Sequence, residues 1–335
     1  MDKREKKRLA ILDVLSANER PLGSSKITDI LVAQGVEISE RTVRLYLQEL
    51  DKQGMTENLG RRGRRITEGG MREAGDSRVL ERMGFLSGKI DTMAYRMDFD
   101  PTTQSGHVVL NLSLLRPSDI TTERRRLIGK VFAKSYAMGK LMALFEPGEI
   151  FCGTPIPEDM IGIGTVCSIT LNGVLLRRGI PTVSRFGGLL ELANGRPTRF
   201  VELINYDGTS IDPLEVFIRS GMADYIGAVT SGNGKIGASF REFPAESIET
   251  VHAVAARLEA IGLGSLMCLG NPGQSIYGIP VGPQRIGAVI IGGLNPMSIF
   301  EETGLRVQSR ALSGLVDFRR LFHYSEFRAQ LDSMG

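Results

Sequence analysis

The side chains best suited to chemistry in this sequence are arginines. Arg61, Arg62, Arg64 and Arg65 surround Gly63. Basic groups packed so closely suit phosphate or minor-groove contact. A second set lies upstream, in Ile38-Ser39-Glu40-Arg41-Thr42-Val43-Arg44 and the residues after it. If Val43, Leu47 and Leu50 face inward on a helix, then Arg41, Thr42, Arg44, Leu45 and Gln48 lie on its opposite face. Arginine and glutamine at such positions can read base edges in a major groove. The charge follows these residues. Residues 1–66 hold 14 Lys+Arg against 10 Asp+Glu, and the remainder 27 against 28. The basicity therefore sits where the motif sits.

These side chains need rigid elements behind them. Ile11, Val14 and Leu15 mark one helix face, and Ile27, Ile30 and Leu31 a second. Ser24 or Ser25 is placed to cap the second helix and Gly35 to end it. Ser39 caps a third, with Val43, Tyr46, Leu47 and Leu50 inward and Gly54 at its end. The short Gly35–Ile38 connection makes a helix-turn-helix. Met55–Leu59 and Arg64–Thr67, with a glycine-flanked turn between them, read as a hairpin. Residues 1–67 are thus expected to form a winged-helix DNA-binding domain, and residues 68–84 a polar, partly helical connector. A winged helix can also serve protein contact; four wing arginines favour DNA.

Other chemistries are poorly provided for. Gly227-Ala-Val-Thr-Ser-Gly-Asn-Gly234-Lys235 fails as a phosphate-binding loop on spacing, and Ile236 stands where a magnesium-binding hydroxyl belongs. It reads as a glycine hairpin turn. Asp98, Asp100 and Gly106 do not fit a calcium loop. His107, His252 and His323 share no ligand spacing, and no Ser-His-Asp or Cys-His arrangement can be placed. No metal site and no catalytic set is expected.

The chain has 335 residues, 42% of them hydrophobic and 24% charged, which suits a soluble protein of two or three domains. Cys152, Cys167 and Cys268 are odd in number and widely spaced, so a disulfide framework is not expected and a reducing cytoplasm fits. Ala260–Gln284 is uncharged, but its six glycines and three prolines argue against a membrane span.

Beyond Gly84 the sequence repeats itself. An offset of 125 places Gly139, Pro147, Gly148, Gly153, Pro155, Gly162, Gly179, Ser184 and Arg185 on Gly264, Pro272, Gly273, Gly278, Pro280, Gly287, Gly304, Ser309 and Arg310. Each copy reads as strand, helix, turn-rich stretch, then an apolar run passing from strand to helix. The expected class is α/β (α+β): a winged helix followed by an internally duplicated mixed α/β effector domain over 85–335, with halves of about 85–210 and 211–335. A cleft between such halves is a natural small-molecule site.

Three segments carry a family resemblance. They are Cys167-Ser168-Ile169-Thr170-Leu171-Asn172-Gly173 through Pro181, Phe200-Val201-Glu202-Leu203 through Glu215, and Ser239-Phe240-Arg241-Glu242-Phe243-Pro244. Together they resemble the regulatory domain of the NrpR family, nitrogen-responsive transcriptional repressors of methanogens and relatives. The resemblance implies a cytoplasmic homodimer or higher oligomer on a palindromic double-stranded operator of nitrogen-assimilation genes. It also implies release of DNA by 2-oxoglutarate. A dicarboxylate needs an arginine fork, amide or hydroxyl donors and free backbone N–H groups. Cys167, Ser168, Thr170, Asn172, Arg185 and Arg241 are the expected effector residues; Arg41, Thr42, Arg44, Gln48, Arg61, Arg62, Arg64 and Arg65 are the expected DNA contacts. The alternative is a nucleic-acid-processing enzyme with a winged-helix substrate domain, which would need a carboxylate cluster.

Overall fold

The structure is a computed structural model, and it describes residues 3–18, 20–33, 35–71 and 85–334. The chain divides into two compact units, Met1–Met83 and Gly84–Gly335. Of the expected connector, residues 68–71 are helical and residues 72–84 lie outside the described set.

The first unit opens with α1 (Lys3–Ser16), α2 (Ser24–Ala33) and α3 (Glu40–Lys52). They meet through Leu9, Ile11, Leu12, Val14, Leu15, Ile27, Leu31, Val43, Leu47 and Leu50, all buried. Ser39 caps α3 by accepting from the Thr42 N–H. Ser24 is already helical, and its hydroxyl donates to Glu40 instead of serving only its own helix. Strands β1 (Thr56–Asn58) and β2 (Arg64–Ile66) then form the antiparallel wing. Leu22 holds the wing to the helices through two backbone bonds with Arg64, of 3.0 and 2.9 Å. Gly63 is required at that junction. Its φ is +96°, and a Cβ there would collide with the Leu22 backbone.

The second unit begins with α4 (Phe85–Arg96), β3 (His107–Leu115), α5 (Thr122–Ala133) and β4 (Leu141–Phe145). A small hairpin, β5 (Ile150–Phe151) and β6 (Thr154–Pro155), precedes β7 (Ile161–Val166), α6 (Ile169–Leu176) and β8 (Val183–Ala193). After β9 (Arg196–Asn205), α7 (Pro213–Arg219) and α8 (Tyr225–Thr230) come β10 (Gly234–Pro244), α9 (Ile248–Ala260), β11 (Leu266–Leu269) and β12 (Arg285–Ile291). The chain closes with α10 (Ser298–Glu302), β13 (Gln308–Asp317), β14 (Phe322–His323) and α11 (Phe327–Asp332).

Two five-stranded sheets result, ordered β13-β3-β7-β4-β14 and β11-β12-β10-β8-β9. Every described strand pairing is antiparallel, so within the expected class the fold is α+β. The order β-α-β-β-α-β occurs twice, from β3 to β8 and from β10 to β13. The last strand of each run crosses over: β8 pairs with β10, and β13 pairs with β3. Each run therefore completes the sheet of the other. Two large buried clusters pack against these sheets, one including Phe99, Phe145, Phe243 and Leu258, the other Phe132, Phe186, Phe240 and Phe300.

One expectation is corrected and one turn is added. The segment Gly227–Lys235 is not a hairpin turn: α8 runs to Thr230, Gly232 takes φ +80°, and β10 starts at Gly234. The tight hairpin lies instead at Asn194-Gly195, between β8 and β9, with φ +51° and +75°. That dipeptide is a strong turn signal, and sequence reasoning passed over it.

Candidate functional site

The first candidate surface is on the winged helix. Burial of Val43, Leu47 and Leu50 turns the opposite face of α3 outward, so Arg41, Arg44, Leu45 and Gln48 are exposed and Thr42 is half-buried. These residues, with Glu40, line one shallow groove. Arg44 donates to Glu40 at 2.6 Å and to Ser24 Oγ at 3.1 Å, an exposed pair that water can readily replace. Arg41, Arg61 and Arg62 have no ion-pair partner among the described residues. Arg65 pairs with Glu57 across the wing at 2.9 Å, and both side chains stay exposed.

Arg64 departs from the expectation. Its Nε donates to Asp51 Oδ2 at 2.9 Å, and both side chains are largely covered. Asp51 also accepts from the Thr56 hydroxyl at 2.6 Å. Arg64 therefore ties the wing to α3. Its alternation with the exposed Arg65 along β2 is the physical reason.

The second candidate site lies where β7 passes into α6. Arg241, on β10, is fully buried. Its guanidinium donates to the Ser168 carbonyl at 2.8 Å, to Ser168 Oγ at 2.7 Å and to Asn172 Oδ1. Asn172 in turn donates to Ser184 Oγ at 3.1 Å. All these partners are neutral, and Arg241 Nε is buried without a partner. A buried guanidinium normally recruits a carboxylate. Burial lowers the Arg241 pKa, yet an arginine stays charged in any protein setting. The Ser168 hydroxyl, bound to Arg241, makes no cap on α6.

Cys167, Ser168, Asn172 and Arg241 are thus brought together, and two expected members are not. Thr170 is fully buried, and its hydroxyl accepts the Val109 N–H at 3.3 Å, which ties α6 to β3. Arg185 falls in a β-bulge, between the pairs Ser184–Arg241 and Phe186–Phe240. Its guanidinium bonds Glu242 at 2.8 Å and the Pro280 carbonyl at 2.9 Å, over the Phe240 ring. The bulge reverses the expected side-chain direction.

The structure adds residues that sequence reasoning missed. Asn111, Tyr206, Asp212, Gly293, Leu294, Ala311 and Leu312 join Cys167 and Ser168 around a small cavity of about 20 Å³. That is room for about one water. Asp212 caps α7 through the Leu214 N–H at 2.8 Å. Burial, then the nearby Glu215, push its carboxyl up to about 6. Burial also pushes the Cys167 thiol up to about 12. Asp212-Pro213 does resemble a helix start in sequence; its meeting with Cys167 is visible only in three dimensions. No group of His, Cys, Asp and Glu suited to a metal occurs among the described residues.

Comparison with known proteins follows this division. Residues 83–323 match the family described as NrpR regulatory domains NRD1 and 2, and residues 9–74 match the Ribonuclease R winged-helix domain. The chain belongs to the NrpR family. A Methanosarcina mazei protein named Global nitrogen regulator NrpRI is 33% identical over 95% of this chain and 97% of its own length. Global nitrogen regulator NrpR of Methanococcus maripaludis is 30% identical over 92% of this chain, which spans only 53% of that longer protein. A crystal structure of a nitrogen repressor-like protein from Methanococcus jannaschii aligns with TM-score 0.60 and 26% identity over 71% of this chain and 97% of that one. The first two of these relatives are named as nitrogen regulators.

Proposed function

We propose that this chain is a transcriptional repressor of nitrogen-assimilation-type genes that binds double-stranded DNA and carries out no catalysis. The observation that carries this reading is the exposed α3 face with Arg41 beside a wing with Arg61 and Arg62, none of them in an ion pair among the described residues. Arg41, Thr42, Arg44 and Gln48 read base edges, while Arg61, Arg62 and Arg65 hold phosphates. One winged helix covers few base pairs, so the working unit is a cytoplasmic homodimer or larger on a palindromic operator.

The effector is a small dicarboxylate, 2-oxoglutarate by family membership, at the start of α6. A buried cation with only neutral partners and one free N–H supports an anion there. Cys167, Ser168, Asn172 and Arg241 are the contacts; of these, Cys167 and Ser168 line the cavity together with Tyr206 and Asp212, and Ser168 links it to Arg241. A dicarboxylate is several times larger than the cavity, so it binds only an opened form. A ligand shifts an equilibrium by its differential affinity for the two forms. Opening of this cavity is thus the change that weakens DNA binding.

Calorimetry of the full chain with 2-oxoglutarate, glutarate and succinate, alongside operator titrations with each, tests this reading. Tighter binding of 2-oxoglutarate, lost in R241Q, and weakened operator binding at saturation are expected. Operator affinity unchanged at saturating ligand would sink the effector assignment.

A further inference from the structure

A second cavity lies elsewhere in the regulatory unit, open and polar. It measures about 330 Å³ and is lined by Glu215, Arg219, Gln308, Ser309, Arg310 and Thr154, with Leu112 and Leu114. That is the size range of small-molecule sites. None of its polar side chains belongs to the Arg241 cluster.

The internal repeat supplies a control. Ser309-Arg310 on β13 stands where Ser184-Arg185 stands on β8, at the same offset and in the exchanged strand of each sheet. In the first copy the arginine is consumed: Glu242, the Pro280 carbonyl and the Phe240 ring hold it. In the second, the Arg310 side chain is exposed and has no hydrogen-bond or ion-pair partner among the described residues. The same dipeptide on the same scaffold has a structural arginine in one copy and a free one in the other.

Helix α7 sets the other wall. Glu215 and Arg219 are four residues apart on it, the spacing and order at which such a pair normally meets. Here they do not form an ion pair. Glu215 accepts the Ala311 N–H, and Arg219 donates to the Ser309 carbonyl at 3.0 Å. Both are turned onto β13, leaving a carboxylate and two guanidinium groups around one space. Gln308, Ser309 and Thr154 add amide and hydroxyl groups, and Leu112 and Leu114 an apolar floor.

We propose that this cavity is a second ligand site and that it takes a free α-amino acid. The ligand carboxylate lies against Arg310 and Arg219, and its ammonium against Glu215. The side chain lies toward Leu112, Leu114 and Thr154. A plain anion would use the arginines and be repelled by Glu215; a plain amine would meet the reverse. A ligand carrying an ammonium and a carboxylate on the same carbon satisfies both walls.

Calorimetry of the full chain against a panel of L-amino acids, each paired with its α-hydroxy acid analogue, tests the proposal. At least one amino acid should bind with a Kd of about 1 mM or tighter. Its hydroxy analogue should bind at least about tenfold more weakly, as should the amino acid to R310A or to E215Q. Arg310 bonds nothing that the fold uses, so R310A should keep the wild-type Tm and the wild-type response to 2-oxoglutarate. E215Q keeps an acceptor for Ala311. The proposal is overturned if no amino acid binds below about 10 mM, or if R310A binds as well as wild type. Equal binding of the hydroxy acids, with E215Q binding them more tightly, would make the cavity a plain anion site and overturn it too.

Discussion

Replacing Arg61 and Arg62 together by alanine should remove phosphate contacts while leaving the winged helix folded. Both side chains are exposed and lack ion-pair partners among the described residues, so the fold loses nothing that it uses. Each phosphate contact contributes about 0.9 to the slope of log K against log salt, so the double variant should flatten that slope by about 1.8. Between 1 M and 0.1 M salt each contact is then worth about eightfold and the pair about 60-fold, a gap that closes as salt approaches 1 M. Fluorescence anisotropy with a random-sequence duplex reads it, because phosphates are the same in every sequence. R64A is the contrast. It removes a largely covered bond to Asp51, a charged hydrogen bond worth about 1.5–3 kcal/mol, so its first effect should be a lower Tm of the winged helix. The reasoning fails if the double variant keeps the wild-type slope. It fails equally if R64A flattens the slope while keeping the wild-type Tm.

Two further outcomes follow from the cavity beside α6. An acid whose folded pKa is raised holds its proton more tightly in the folded state, so Asp212 lowers stability as pH climbs from 3.8 to about 6. D212N keeps the cap on α7 without the charge; its Tm should exceed wild type at pH 8, by at most about 3 kcal/mol in free energy, and match its pH slope below about pH 4. A wild-type advantage at pH 8 would contradict this. The Cys167 thiol is buried and pushed up to about 12, whereas Cys152 is exposed. Peptide mapping after brief maleimide treatment should find Cys152 modified and Cys167 untouched until denaturant is added; comparable labelling of both in the native protein would show the cavity already open.

Much of the architecture was legible in the chain because it rests on local rules. The apolar spacing along α1 to α3 and the polar cap at Ser39 depend only on helical periodicity and nearby backbone groups. Glycines and prolines report backbone conformation directly, which is why they show the offset of 125: Gly148, Gly153 and Gly179 share positive φ with Gly273, Gly278 and Gly304, although Gly264 does not share that of Gly139. The family followed from three segments that lie on α6, on β9 with the start of α7, and on β10. Position in space did not follow. Local sequence is silent on which sheet receives β8 and β13, and the exchange decides what every residue on them meets. One inserted residue at Arg185 turned it toward Glu242 instead of the α6 start. Arg64 looked identical to Arg62 in sequence; only the closeness of α3 to the wing gave it Asp51 as a partner. Arg241, expected from the sequence as an effector contact, is a fully buried cation because β10 runs through the middle of its sheet, with β8 and β12 on either side. Helix and strand are set by neighbours in sequence, whereas burial, charge pairing and cavity shape are set by residues from 12 to 201 positions apart, and those meet only in the folded chain.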